Sequence, residues 1–185
     1  MAEKPASWTA ANWIALSAFI VALCSFGLSM YVAYLNRSHQ RLTVRPHLQI
    51  GFYYNAQGAH FSLDNWGLGP AQLKWFGVSV DGKPQRTWRE VLNTLGVAKD
   101  VAFRQSIPAR GILMQPGKIG QSTDILSVPR GAPTEALIKA RDRLTLRACY
   151  CSLYEECWLA TSDRAAPEQR SSCDPAPKVE FIWQR

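Results

Sequence analysis

The chain has 185 residues, 19% of them charged, and a net charge of +7. Its basic residues past the first quarter (Arg86, Arg89, Arg104, Arg110, Arg130, Arg141, Arg143, Arg147) are dispersed among acids instead of forming a stripe. With no recognisable motif beside them, this excludes a nucleic-acid partner as the expectation.

Residues 1–12 form a short tail. From Trp13 to Leu35 no residue is charged, and charge is absent from Pro5 through Asn36. A helix needs about 20 predominantly apolar residues to cross ~30 Å of hydrocarbon. Trp13, Tyr31 and Tyr34 stand near the ends of the run, where amphipathic rings prefer to sit. The spacing predicts a transmembrane helix over 13–35. The run exceeds the ~7–15 residues of a signal-peptide core, and no A-x-A-like site follows it, so a retained anchor in an inner or plasma membrane is expected. Ala11, Ala15, Ala18, Ala22, Ser25 and Ser29 recur as a stripe of small residues. Such stripes let helices approach closely in lipid, which suggests a helix interface with a second copy or a protein partner. An Ala/Ser-rich helix also produces such stripes by chance: Ser17, Cys24, Gly27 and Ala33 lie off it. The linker 36–44 with Arg45 carries Arg37, Arg41 and Arg45, a cluster suited to anionic lipid headgroups.

Beyond Arg45 the apolar period changes from helical to alternating. Leu48, Ile50, Phe52 and Tyr54 share one face of a strand, with Pro46 at its start. Asn55-Ala56-Gln57-Gly58 is a turn, and Ala59–Leu63 returns. Leu63-Asp64-Asn65-Trp66-Gly67-Leu68-Gly69-Pro70-Ala71 leads into a strand over Gln72–Val80, closed by Asp81-Gly82-Lys83-Pro84. Thr87–Leu95 reads as a helix: Thr87 and Glu90 make a capping box, Trp88, Val91, Leu92 and Leu95 form its apolar face, and Gly96 stops it. Strands are expected at Val101–Ile107, Gly111–Met114 and Ile119–Val128, with a short helix at Thr134–Ala140. A last hairpin runs Arg143–Cys151 and Glu156–Thr161, and a closing strand Val179–Trp183. Seven or eight short strands with Gly/Pro turns point to a mainly β fold, an antiparallel β-sandwich over 45–185 with one or two short helices.

The motif from Asn65 through Gly67, Gly69 and Pro70 to Ala71, the later Asp-Gly and Pro-Gly turns, and the Arg45-Pro46-His47-Leu48 start resemble uncharacterised bacterial single-pass membrane-anchored proteins. The similarity covers most of the chain. It implies an immunoglobulin-like sandwich and a membrane address, and transfers no activity. Physically, Gly67 and Gly69 supply positive φ or close backbone approach and Pro70 stiffens the start of the next strand. The spacing is neither a P-loop nor a dinucleotide fingerprint, so Asn65, Gly67, Gly69 and Pro70 read as a structural turn.

Three histidines are a thin supply for catalysis. A turn centred between Ala56 and Gln57 puts His60 opposite Tyr53, roughly 20 Å along the strand from His47 at ~3.3 Å per residue, so these two cannot share a metal. No nucleophile elbow, His-Glu-x-x-His or paired-carboxylate motif appears. No enzyme and no cofactor are expected.

The cysteines carry more chemistry. A hairpin centred on Tyr154 opposes Cys151 and Cys157 at a disulfide-compatible distance. Cys149 points to the same face, and Cys173 reaches back to it from the Pro-rich loop. Leu144, Leu146, Ala148, Tyr150 and Trp158 make the core face, so the sulfurs are expected on the exposed one with Thr145, Arg147 and Thr161. Two disulfides rank first, a zinc site of Cys149, Cys151, Cys157 and Cys173 second, and unpaired thiols third. Three arginines after the apolar run favour a cytoplasmic domain; disulfides favour the periplasmic or extracytoplasmic face. The cysteines tip the balance outward, because a large domain can be translocated despite flanking charge. The functional expectation is a membrane-anchored, non-enzymatic interaction module, a subunit or accessory of a membrane complex. The alternative is a tethered sensor or effector that binds a small ligand or lipid, with Trp66, Trp75, Trp88, Trp158 and Trp183 lining its pocket.

Overall fold

A computed structural model describes residues 9–97, 101–106, 108–117, 123–179 and 181. The chain divides into two compact units, Met1–Leu42 and Thr43–Arg185. The first is a long apolar helix, α1 (Ala10–Thr43). Its apolar side chains are exposed around the whole circumference, among them Ile14, Phe19, Val21, Phe26, Leu28 and Val32. A segment of it, Ala10–Arg37, is long and apolar enough to cross a membrane. The basic stretch expected to be a linker is helical through Thr43, so the regular backbone runs past the apolar run at its C-terminal end.

Among its described residues the second unit holds two antiparallel sheets. The first is four-stranded, in the order β1 (Leu48–Asn55), β2 (Gly58–Asn65), β7 (Asp124–Pro129), β5 (Arg104–Gln105). The second runs β10 (Glu168–Arg170), β9 (Cys157–Thr161), β8 (Leu144–Cys151), β3 (Ala71–Val80), β4 (Lys83–Gln85), with β6 (Leu113–Met114) paired to the start of β3. Alternation explains the inner faces. Leu48, Ile50, Phe61, Leu63, Leu126 and Val128 from one sheet share a single buried cluster with Leu73, Val78, Leu146, Ala148, Tyr150 and Trp158 from the other. Complete burial of each large apolar side chain stabilises by about 1.5–3 kcal/mol.

Helix α2 (Trp88–Thr94) buries Trp88, Val91 and Leu92. The Glu90 amide donates to Thr87 Oγ1 at 3.2 Å, and the Glu90 carboxylate accepts from the Arg86 amide at 2.8 Å. The carboxylate thus reaches one residue beyond the usual capping-box partner. Gly96, at φ +76°, ends the helix. Helix α3 (Ala132–Ala140) starts two residues before the predicted one, with Pro133 in its first turn.

Several strands are shorter than their apolar pattern suggests. Among the described residues Val101–Ile107 contributes Arg104–Gln105, Ile107 lying outside them, and Gly111–Met114 contributes Leu113–Met114. The expected strand Ile119–Val128 is described from Asp124, its first residues lying outside the described ones. Strands β4 and β10 carry too little apolar alternation to stand out. The expected closing strand Val179–Trp183 is corrected at its described residues, where Val179 and Phe181 have no strand pairing. Phe181 is instead a plug, packed edge-on against Phe76 and Trp88.

Candidate functional site

Asn65 closes β2 opposite Leu48 and is only 3% exposed. Its side-chain carbonyl accepts from the amides of His47 and Gly67, at 3.1 and 3.0 Å. Its amide group donates to the carbonyls of Gly69 and Met114, at 2.8 and 3.0 Å. The side chain thus satisfies its acceptor and its donors inside the protein. Around it, the Trp66 amide donates to His47 O, and the Leu68 and Gly69 amides donate to Arg45 O. The turn is therefore laid backbone-on-backbone over the segment that leads into β1. The glycines serve close approach, not positive φ. A Cβ on Gly69 would stand 1.8 Å from Val44 O, and one on Gly67 2.4 Å from the His47 nitrogen.

The same end of the domain holds the cysteines. Register places Cys151 opposite Cys157 and Cys149 opposite Trp75. The Cys151 and Cys157 sulfurs are bonded, with Cα atoms 4.0 Å apart, as are those of Cys149 and Cys173, with Cα atoms 5.7 Å apart. The expectation that this face is exposed is corrected: all four cysteines are buried, at 2–7% exposure. The cover comes from the Cys173 segment folding back, from Leu159, and from Trp75, whose indole N–H donates to Cys173 O at 2.8 Å. Sulfurs of Cys151, Cys157 and Cys173 lie within 4.8 Å of one another. As bonded, however, the four sulfurs offer no thiolate, the form a zinc ion would need. Cys24 is the free cysteine, exposed on α1.

A third cluster lies on the outer face of the four-stranded sheet. Register aligns Tyr53, His60, Ser127 and Arg104 across the four strands. Tyr53 stacks on His60, with ring centroids 4.9 Å apart, and its hydroxyl donates to the Asp124 carboxylate. Asp124 Oδ2 is 3.2 Å from His60 Nδ1. Both ring nitrogens of His60 are buried and, among the described residues, make no hydrogen bond. They border a half-open cleft of about 740 Å³, lined also by Gln57, Arg104 and Ser127. Sequence spacing pairs Tyr53 with His60. It is silent on Asp124, Ser127 and Arg104, because β7 joins β2 only through tertiary pairing.

The remaining predicted residues are dispersed. Ala11, Ala15, Ala18, Ala22, Ser25 and Ser29 lie exposed on α1, where the Ser29 hydroxyl donates to Ser25 O. Arg37 is exposed on α1, and the Arg41 side chain lies outside the described residues. Arg45 sets its guanidinium 5.2 Å from the centre of the Trp158 ring. The tryptophans do not line one pocket. Trp88 and Trp158 are core, Trp75 covers the cysteines, Trp66 is exposed, and Trp183 lies outside the described residues. Outside these clusters, burial pushes the Tyr150 hydroxyl up to about 12, although the Leu48 amide donating to it opposes the shift. Arg143, through a bidentate ion pair, holds Asp81 below the usual carboxylate range.

Comparisons with protein-family models, with curated proteins and with solved structures give no match to this chain.

Proposed function

We propose that the chain is a single-pass, membrane-anchored, non-enzymatic interaction module whose immunoglobulin-like sandwich serves as a subunit or accessory of a membrane complex. The observation that carries this reading is α1: an apolar helix in which, among the described residues, no position of the span Ala10–Arg37 is buried. A helix apolar on every side needs an apolar medium around it, a protein core or a bilayer. Two antiparallel sheets over one core support the sandwich, and two bonded cysteine pairs support an oxidising compartment. The test is extraction of native membranes with alkaline carbonate, followed by purification in mild detergent. An integral chain that brings a partner at stoichiometric yield supports the reading; a chain released by carbonate defeats it.

The His60 cleft favours a second reading, a tethered sensor for a small ligand. His60 and Arg104 offer donors there, while Tyr53 occupies part of the Asp124 carboxylate, which suits a small carboxylate. Thermal shifts of the full chain in detergent with a panel of mono- and dicarboxylates test it. A shift that is lost in both His60→Gln and Arg104→Gln supports this reading, and no shift with any member sinks it.

A further inference from the structure

Seven large apolar side chains outside α1 are exposed among the described residues: Tyr54, Trp66, Leu68, Ile112, Leu113, Leu153 and Tyr154. All but Tyr54 lie at one end of the domain, as the strand register shows. Leu48 pairs with Asn65 at that end, Ala71 with Met114, Gln72 with both Leu113 and Cys151, and Cys151 with Cys157. The turns that continue from these pairs are therefore neighbours: 66–70 after β2, 109–112 before β6, and 152–156 between β8 and β9. Asn65 ties two of them together through its bond to Met114 O.

This is also the end at which the chain arrives from α1. Four residues separate Thr43, the last of the helix, from Leu48, the first of β1. The turn bearing Trp66 (59% exposed) and Leu68 (75% exposed) is hydrogen-bonded to Arg45 and His47 within that short segment. At ~1.5 Å per residue, the helix from Trp13 to Thr43 measures about 45 Å. A bilayer with its headgroups measures about 40–45 Å. A helix with Trp13 in one headgroup layer thus surfaces in the other at Thr43, with the Trp66 turn attached two residues beyond.

We infer that this end of the domain is a lipid-interface surface, seating Trp66, Leu68, Leu153 and Tyr154 in the headgroup layer of the bilayer that α1 spans. The inference rests on the membrane-anchor reading. Aromatic rings with a polar edge and branched aliphatics are the side chains that partition to this layer. Arg45 and Arg110 at this end of the domain are accompanied by Glu155 and Glu156, so the apolar turns are themselves charge-balanced, while Arg37 and Arg41 belong to α1. Seating of the apolar turns therefore does not require anionic lipid, whatever the arginines of α1 contribute.

The test uses the full chain with indole-¹⁵N tryptophan, reconstituted in phosphatidylcholine nanodiscs with and without a gadolinium-headgroup lipid. Trp66→Phe assigns its indole signal among the seven. The expected result is strong broadening of Trp66, comparable with Trp13, while Trp88, in α2 after the far end of β3, keeps its intensity. Leu68→Ser with Leu153→Ser should then lower the Trp66 broadening severalfold, with the Trp88 signal unmoved as the check on folding. If the chain elutes with the discs and Trp13 broadens but Trp66 keeps its intensity like Trp88, the seating is overturned and the anchor stands, which leaves the patch to a protein partner. If the chain elutes apart from the discs with Trp13 sharp, anchor and seating fail together.

Discussion

Asn65 shows how much one side chain can organise. Truncation in Asn65→Ala strands the amides of His47 and Gly67 and the carbonyls of Gly69 and Met114 in a buried place. Unsatisfied buried groups cost about 1–3 kcal/mol each before relaxation, so the expected loss is about 2–4 kcal/mol in denaturant titrations of the full chain. Gly69→Ala should cost about 2–3 kcal/mol, because the added methyl meets backbone that cannot swing away. Gly82→Ala faces open space and should cost about 1 kcal/mol, through its positive φ alone. Equal effects of the two substitutions would defeat the close-approach argument. Tyr150 gives a pH signature. Its hydroxyl stays neutral in the folded protein up to about 12, whereas an unfolded tyrosine ionises near ~10. Stability is thus fully present below the unfolded value and is lost as pH rises through the folded one. Tyr150→Phe should lower stability at pH 7 by about 1–3 kcal/mol, since the Leu48 amide loses its acceptor. Its alkaline limb should also be shallower than that of the wild type.

Elements with a strong period were legible in the sequence, and those held by their neighbours were not. The β1–β2 pairing of Tyr53 with His60 and the β8–β9 pairing of Cys151 with Cys157 followed from turn position alone, since a hairpin turn sets its register. The apolar positions and capping signals of α2 were equally local. Replacing Thr87 by Ala should cost about 1 kcal/mol through the lost bond to the Glu90 amide, measured by thermal unfolding. Two-residue strands such as β5 and β6 exist because β7 and β3 offer edges to pair with, which no local period announces. Alternation likewise names the face on which Cys149 and Cys151 lie without telling whether that face is covered. Their burial depends on Cys173 bringing its segment back across twenty-odd residues, and on Trp75 from a strand distant in sequence. For α1, the stripe reading predicts that Ala18→Ile with Ala22→Ile weakens association in a membrane two-hybrid assay. Ile at Leu16 and Phe19 should leave it intact; equal effects would sink the interface.

For the molecule as a whole, the cysteines decide both stability and address. The Cys149–Cys173 bond, with a sequence separation of 24, stabilises by about 3 kcal/mol in the loop-entropy treatment, and the shorter Cys151–Cys157 loop by about 2 kcal/mol. Cys149→Ser with Cys173→Ser should therefore lower stability by about 3 kcal/mol, read by denaturant titration. Non-reducing mass spectrometry of native membranes, with thiols alkylated before lysis, should find Cys24 alone accessible to the reagent. Alkylation of all five would place the domain in a reducing compartment.

Among the described residues the first strand of the domain is also an edge strand, because β1 pairs with β2 on one side and with no other strand of its sheet. A pull transmitted along the chain from α1 would reach the sheet at Leu48, the rung at which β1 meets Asn65 of its antiparallel partner. The turn centred on Asn65 lies ahead of the first rung. Its bonds to Arg45 and His47 must break before Leu48 can leave Asn65, and its bond to Met114 O passes part of the load to β6 and on to β3. Under the membrane-anchor proposal, the motif is a strain relief between α1 and the sheet, taking up traction ahead of the first rung of β1 and β2.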